Sequence, residues 1–318
     1  WLHLNSFARG WLAWWGGRCP RLVSLSAIRT PPNSGVFSFT DIHVHSFDLP
    51  SQVGTPALRA KTQTEQSWED TANMIDIRTR YMASSFVDAS DIRPTPDTTI
   101  DLIRLFRDRE MVPDTFREIT PSSPTPETRI GLVSPDNEWT IRFAAKRINI
   151  QKNPTDRKGN NLGSVSDFCA DVVDLFSRVM EQYSKKAHRL SLVTDVLLEE
   201  MTEAKLSKVY DILFNSPPFY KEHRPHEWNW RVVSRTPLEL ADLAEELNVI
   251  SILKRVQGRF GTLDEVVPFD RIQLTLDINT VPEMQEHRLG IDHIQSFYDQ
   301  VPALHQDLVE ELRGFLDG

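Results

Sequence analysis

Three short runs between Arg129 and Lys152 constrain the fold more than any other part of the chain. In RIGLVS (129–134), EWTIRFA (138–144) and RINIQK (147–152) apolar and polar residues alternate, the period of a strand with one buried face. Trp139, Ile141 and Phe143 point one way, Thr140 and Arg142 the other. SPDNE links the first two runs as a hairpin turn, and connections this short cannot carry the crossover that parallel strands need. The segment is therefore expected to fold as an antiparallel meander.

The same logic extends to the C-terminal half. HRLSLVTDVLLEE reads as a strand, and PHEWNWRVVSRTPLEL, VISILKRVQGRF and DRIQLTLDINTV as three more. In the last, Ile272, Leu274, Leu276 and Ile278 face inward against Gln273, Thr275, Asp277 and Asn279. Residues 165–183 form the strongest helix, with Val165, Phe168, Cys169, Val172, Leu175, Phe176, Val179, Met180 and Tyr183 at helical spacing. Thr95-Pro96-Asp97 starts another: a Thr cap, Pro at the first helical position and an acid in the first turn. Ile100, Ile103 and Phe106, with Leu102, are placed on its inner face. EAKLSKVYDILFN and residues 290–316 complete the helices, the last with His305 and Glu310 on its exposed side.

The implied order is helix, βββα, βα, βββα. The expectation is an α+β protein: curved antiparallel sheet from two βββα-like units, with helices packed on one face. Residues 74–318 make one domain, divided into a helical N-terminal part (74–124), a first unit (125–188) and a second (189–318). Residues 1–73 differ in composition. Half of the 8 Trp fall in the first 15 residues, 31–73 are rich in Ser, Thr, Pro and Gln, and no Met precedes Met74. They are expected to be upstream translation or a disordered leader.

The block RIGLVSPDNEWTIRFAAKRINIQK, a long helix, HRLSLVTD, the late LTLDIN and a final helix carrying Leu304-His305 together resemble a sporadically distributed family of prokaryotic proteins that has no established activity. The resemblance covers roughly residues 125–318. It implies this fold and a prokaryotic origin; residues 74–120 depart from the family pattern.

Bulk properties narrow the function. The 318 residues are 40% hydrophobic, enough for a core. A net charge of −9 disfavours a nucleic-acid scaffold. Only Cys19 and Cys169 occur, which argues against a disulfide framework and for a reducing cytoplasm. No run is long and apolar enough to span a membrane. Phosphate-loop, dinucleotide and nucleophile-elbow motifs are missing from the sequence, and no cofactor is implied.

Four candidate features remain. Asp277 and Asn279 share a strand face that can accept a ligand's hydrogen bonds, although a solvent-facing or helix-covered sheet accounts for them as simply. Arg142 and Arg147, with Lys146, Lys152, Arg157 and Lys158, make a basic stretch able to touch phosphate. Asp41-x-His43-x-His45 has the period-2 spacing of metal ligands on a strand, but lacks the alternating βα chain such enzymes use. His223-x-x-His226 has Pro225 between its histidines, so a helical metal pair is not expected. The reading that follows is a binding protein with a protein partner or small ligand; its rival is a metal-dependent hydrolase or nuclease built on Asp41, His43, His45, His223 and His226.

Overall fold

A computed structural model describes residues 74–120, 123–261 and 266–317. In chain order its elements are β1 (Ile75–Phe86), α1 (Pro96–Leu105), β2 (Val112–Thr120), β3 (Ser123–Val133), β4 (Trp139–Ala144), β5 (Arg147–Lys152), α2 (Val165–Gln182), β6 (Arg189–Leu198), α3 (Glu203–Leu213), α4 (Pro218–Glu222), β7 (Asn229–Leu240), β8 (Leu243–Gly261), β9 (Val266–Thr280) and α5 (Ile291–Asp317). The nine strands form one sheet in the order β2-β3-β4-β5-β1-β6-β9-β8-β7. Every pairing is antiparallel. This is the α+β class and the antiparallel sheet that alternation and short turns foretell.

The N-terminal part corrects the sequence reading. Residues 74–124 are not chiefly helical: β1 lies at the centre of the sheet, between β5 and β6, and β2 is an edge strand. β1 reads IDIRTRYMASSF, with no run of large apolar residues on either face, because the helix-facing side is filled by small Ala83 and Ser85 beside Tyr81. The observed order is therefore β, α, four strands, α, then β, two helices, three strands, α.

Cross-strand neighbours share a face, so the register divides the sheet into two sides. One side carries Tyr81, Ala83, Ile130, Leu132, Ile141, Phe143, Ile148, Ile150, Leu190, Leu192 and Ile278, clustered with Phe168, Val172, Phe176 and Val179 of α2 and Phe297, Tyr298 and Val301 of α5. A second cluster joins Val196, Leu198, Leu253, Ile272, Leu274 and Leu276 to Leu206 and Val209 of α3 and Val309, Leu312 and Leu316 of α5. Each Val, Leu, Ile or Phe side chain among them contributes roughly 1.5–3 kcal/mol on full burial.

α1 starts as its sequence requires. Thr95 accepts the Thr98 N–H, Pro96 opens the helix and Asp97 sits in the first turn. Its inner face is narrower than expected: Leu102 and Phe106 are buried, whereas Ile100 and Ile103 are exposed. Among the described residues no helix is long and apolar enough to cross a membrane.

Candidate functional site

The side of the sheet away from the helices, the far face, holds a continuous set of withdrawn polar groups. The register sets one row across seven strands: Arg142, Asn149, Ser84, Ser191, Asn279, Asn248 and Arg235 are successive cross-strand neighbours from β4 to β7. Ser84 Oγ donates to Asn149 Oδ1 at 3.0 Å, and Asn248 Nδ2 to Asn279 Oδ1 at 3.4 Å. Ser191, Asn248 and Asn279 are 5%, 8% and 0% exposed. A face that merely meets solvent takes long charged side chains; short amides and hydroxyls held out of water cost free energy unless hydrogen-bonded.

The next row is Met82, Val193, Asp277, Ile250 and Val233. Asp277 thus stands between Val193 and Ile250. It accepts a hydrogen bond from Asn279 Nδ2 at 2.8 Å, yet burial pushes its pKa above the usual carboxylate range, against the pull of Asn279, Arg189 and Arg231. Asp195, one row further on, has the opposite environment. Arg80 Nε donates to it at 2.8 Å, Thr275 Oγ1 at 2.5 Å and Gln273 Nε2 at 3.4 Å, so this carboxylate is fully engaged in holding β1, β6 and β9 together.

On the other flank of the amide row lies a row of cations around an aromatic ring. Phe86 pairs with Arg189. The β1–β5 ladder runs to Ser85↔Ile148 and is extended by the Val87 N–H to the Lys146 carbonyl at 3.2 Å, which brings Arg147 alongside Phe86. The Arg189 guanidinium lies over the Phe86 ring, 4.3 Å from its centroid, a cation–π contact. His188 is 6.1 Å from the Phe86 ring and meets His287 edge-on at 5.2 Å. Desolvation, with His287, Arg189, Arg288 and Lys146 nearby, lowers His188 to about 4. Burial lowers both Arg147 and Arg189, and Arg147 itself repels Arg189.

Of the residues singled out in the sequence, Asp277 and Asn279 are hydrogen-bonded to each other, and Arg142 and Arg147 lie on the same far face. Asn279 is fully buried rather than outward in solvent. The basic stretch does not survive as a unit. Lys152 faces the helix side, over Trp139 at 5.2 Å and paired with Glu138 at 3.3 Å; Lys146 pairs with Asp88 at 3.4 Å and Lys158 with Asp76 at 2.8 Å. Arg142 packs over Phe116 at 5.6 Å.

His223 caps the C-terminal end of the five-residue α4 and stacks near Phe219 at 4.8 Å, with His226 beyond it; among the described residues no group of three His, Cys, Asp or Glu could hold a metal. Asp41, His43 and His45 lie outside the described residues. His305 is not on the exposed side of α5: it is 8% exposed, its Nε2 2.9 Å from Thr194 Oγ1.

Sequence reading missed Phe86, Ser84, Asn149, Arg189, Ser191 and Asn248. A signal existed in Asn149 between Ile148 and Ile150 and in Ser191 between Leu190 and Leu192: short polar residues spaced into apolar strands, where Lys, Glu or Thr would suit a solvated face. No protein-family model and no curated protein matches the chain, so what the far face can do follows from its residues.

Proposed function

We propose that the protein acts by binding, and that the far face of the sheet receives a small polar ligand. The observation that carries this reading is the continuous Arg142-to-Arg235 row of short amides and hydroxyls. It offers donors and acceptors on rigid strands, beside an apolar row and a cationic row, the mixture typical of ligand sites. Nothing in it pairs a nucleophile with a base: the acids are Asp195, engaged by three donors, and Asp277, pushed toward its neutral form.

The chain order supports a second part of the reading, an internal duplication. A strand, a helical connection, an antiparallel meander and a long helix occur twice, and the leading strands β1 and β6 lie side by side at the centre. Two such halves related by a two-fold axis would put that axis between β1 and β6, the strands that carry Ser84 and Ser191 of the polar row.

The test is equilibrium dialysis of the full chain against a cell extract, with retained compounds identified by mass spectrometry. The same experiment is run on Met82→Trp, which adds bulk at the centre of the far face. Retention by the wild type and loss in a variant of equal melting temperature is expected. Equal retention by both, or turnover of a retained compound, would overturn the reading.

A further inference from the structure

The two ends of the sheet are finished differently, and β7 is left open where β2 is not. We propose that residues 229–235 of β7 pair antiparallel with the same residues of a second copy of this chain, about a two-fold axis at Val232, joining two sheets edge to edge.

Two hydrogen bonds fix which main-chain groups β7 turns outward. The Val281 N–H bonds the Glu246 carbonyl at 3.0 Å, and the Arg255 N–H bonds the Trp228 carbonyl at 3.2 Å. In an antiparallel ladder a residue's N–H and C=O point to the same neighbour and alternate along the strand. Even-numbered residues of β8 therefore address β9, and odd-numbered ones address β7. Their partners Trp230, Val232, Ser234 and Thr236 are the ones that bond β8, which leaves the groups of Asn229, Arg231, Val233 and Arg235 pointing away from the sheet. Pro237 has no N–H to offer there, and the Glu239 carbonyl accepts from Gln300 of α5 at 2.8 Å, so that end of the edge is closed. Among the described strands none pairs with the remaining stretch.

β2 is guarded as edge strands usually are. It contains Pro113, and its register with β3 shifts between Glu118 and Thr120; its exposed Val112 and Ile119 lie at its two ends. β7 keeps an unbroken register with β8 over all 12 residues, with Val232 and Val233 in mid-strand 42% and 44% exposed. The sequence of this stretch is suited to its own copy in one register. Centred on Val232, the two-fold sets Asn229 against Arg235 and Arg231 against Val233 on the far face. On the other face it sets Trp230 against Ser234 and Val232 against itself. No like charges are then directly opposed, every outward group finds a partner, and the Arg231 stem can lie along the second copy's Val233. The Arg235 charge is balanced within its own chain by Glu246 and Glu283. Centring on Val233 would put Arg231 directly against Arg235, and centring on Ser234 would call on Pro237, which lacks the donor, and on Glu239, whose acceptor is taken.

The experiment is sedimentation equilibrium of the full chain from micromolar to submillimolar concentration. One strand from each copy makes a small interface, so a dimer that dissociates in the micromolar range is expected. Val232→Lys sets two like charges against each other at the two-fold axis and should weaken the dimer about tenfold or more. Val112→Lys, the same change at an exposed position of β2, should leave it unchanged. The register has its own readout. Val232 faces its copy as a non-hydrogen-bonded pair, close enough for a disulfide, so Val232→Cys should form covalent dimers on oxidation above the wild-type level, and Ser234→Cys, held away from its copy, should not. A chain that stays monomeric overturns the pairing and leaves the edge to a strand of another protein. A dimer that tolerates Val232→Lys, or that Val112→Lys weakens equally, forms elsewhere and overturns it too. Cross-linking through Ser234→Cys in preference to Val232→Cys overturns the Val232 centre.

Discussion

At the scale of single residues, the buried polar groups set how the protein responds to acid. Burial lowers His305 to about 4 from its ordinary 6.5. The folded state therefore binds fewer protons than the unfolded chain over that interval, and stability present above pH 6.5 is lost as pH falls toward 4, by about 3 kcal/mol in all. Urea melts at pH 7, 6, 5 and 4 should show this loss in the wild type and less of it in His305→Gln, which can still bond Thr194; identical pH slopes would assign it elsewhere. Gly159 makes a second residue-scale case. It has φ +67°, and a Cβ there would lie 2.0 Å from the Arg78 carbonyl oxygen, so Gly159→Ala should cost about 3 kcal/mol in denaturant melts. Neither effect was legible in the sequence. The helical period of residues 290–316 gives no sign that a polar Thr194 waits beneath His305, and the need for glycine at 159 comes from a strand some eighty residues earlier.

At the scale of elements, local chemistry decided what could be read. The α1 cap, with Thr95 accepting the Thr98 N–H, depends on four consecutive residues, and they were sufficient. The same holds for α2, where Ser164 accepts the Asp167 N–H ahead of seven buried apolar residues. Ser164→Ala should lower stability by about 1 kcal/mol without changing the slope of a urea melt, and no loss would mean water caps that end equally well. β1 was illegible for the converse reason. A central strand backed by Ala83 and Ser85 and faced by Arg80, Met82 and Ser84 has no apolar stripe to announce it. α5 has a divided duty: Ile294, Phe297, Tyr298 and Val301 enter one core and Val309, Leu312 and Leu316 the other. Pro302 falls just where the helix passes between them, at the point where a missing backbone N–H interrupts the ladder to Tyr298. The candidate site was half legible. Asp277, Asn279, Arg142 and Arg147 were visible as polar residues on strands, but their neighbours on the far face come from pairings far apart in sequence.

At the scale of the whole molecule, antiparallel sheet follows from the turns, whereas its continuity depends on three pairings no turn dictates: β1 with β5, β6 with β9 and, at the central seam, β1 with β6. Tyr298 of α5 ties that seam, its hydroxyl donating to the Ser191 carbonyl at 3.1 Å. Residues 74–317 should accordingly melt in one transition, with fluorescence and circular dichroism coinciding; separated midpoints would mean that the two cores are independently stable. The seam also orders events during synthesis. β1 is made first but must wait 65 residues for Asn149 to reach Ser84 and 116 for Asp195 to reach Thr79. β6 then waits a further 80 for Thr275. Long closures of this kind slow folding, and each leaves a bare strand edge at the ribosome until its partner is made. A nascent chain stalled after β6 would carry a finished first half with that edge still unpaired, the stage at which a growing copy of this protein is most open to pairing with another.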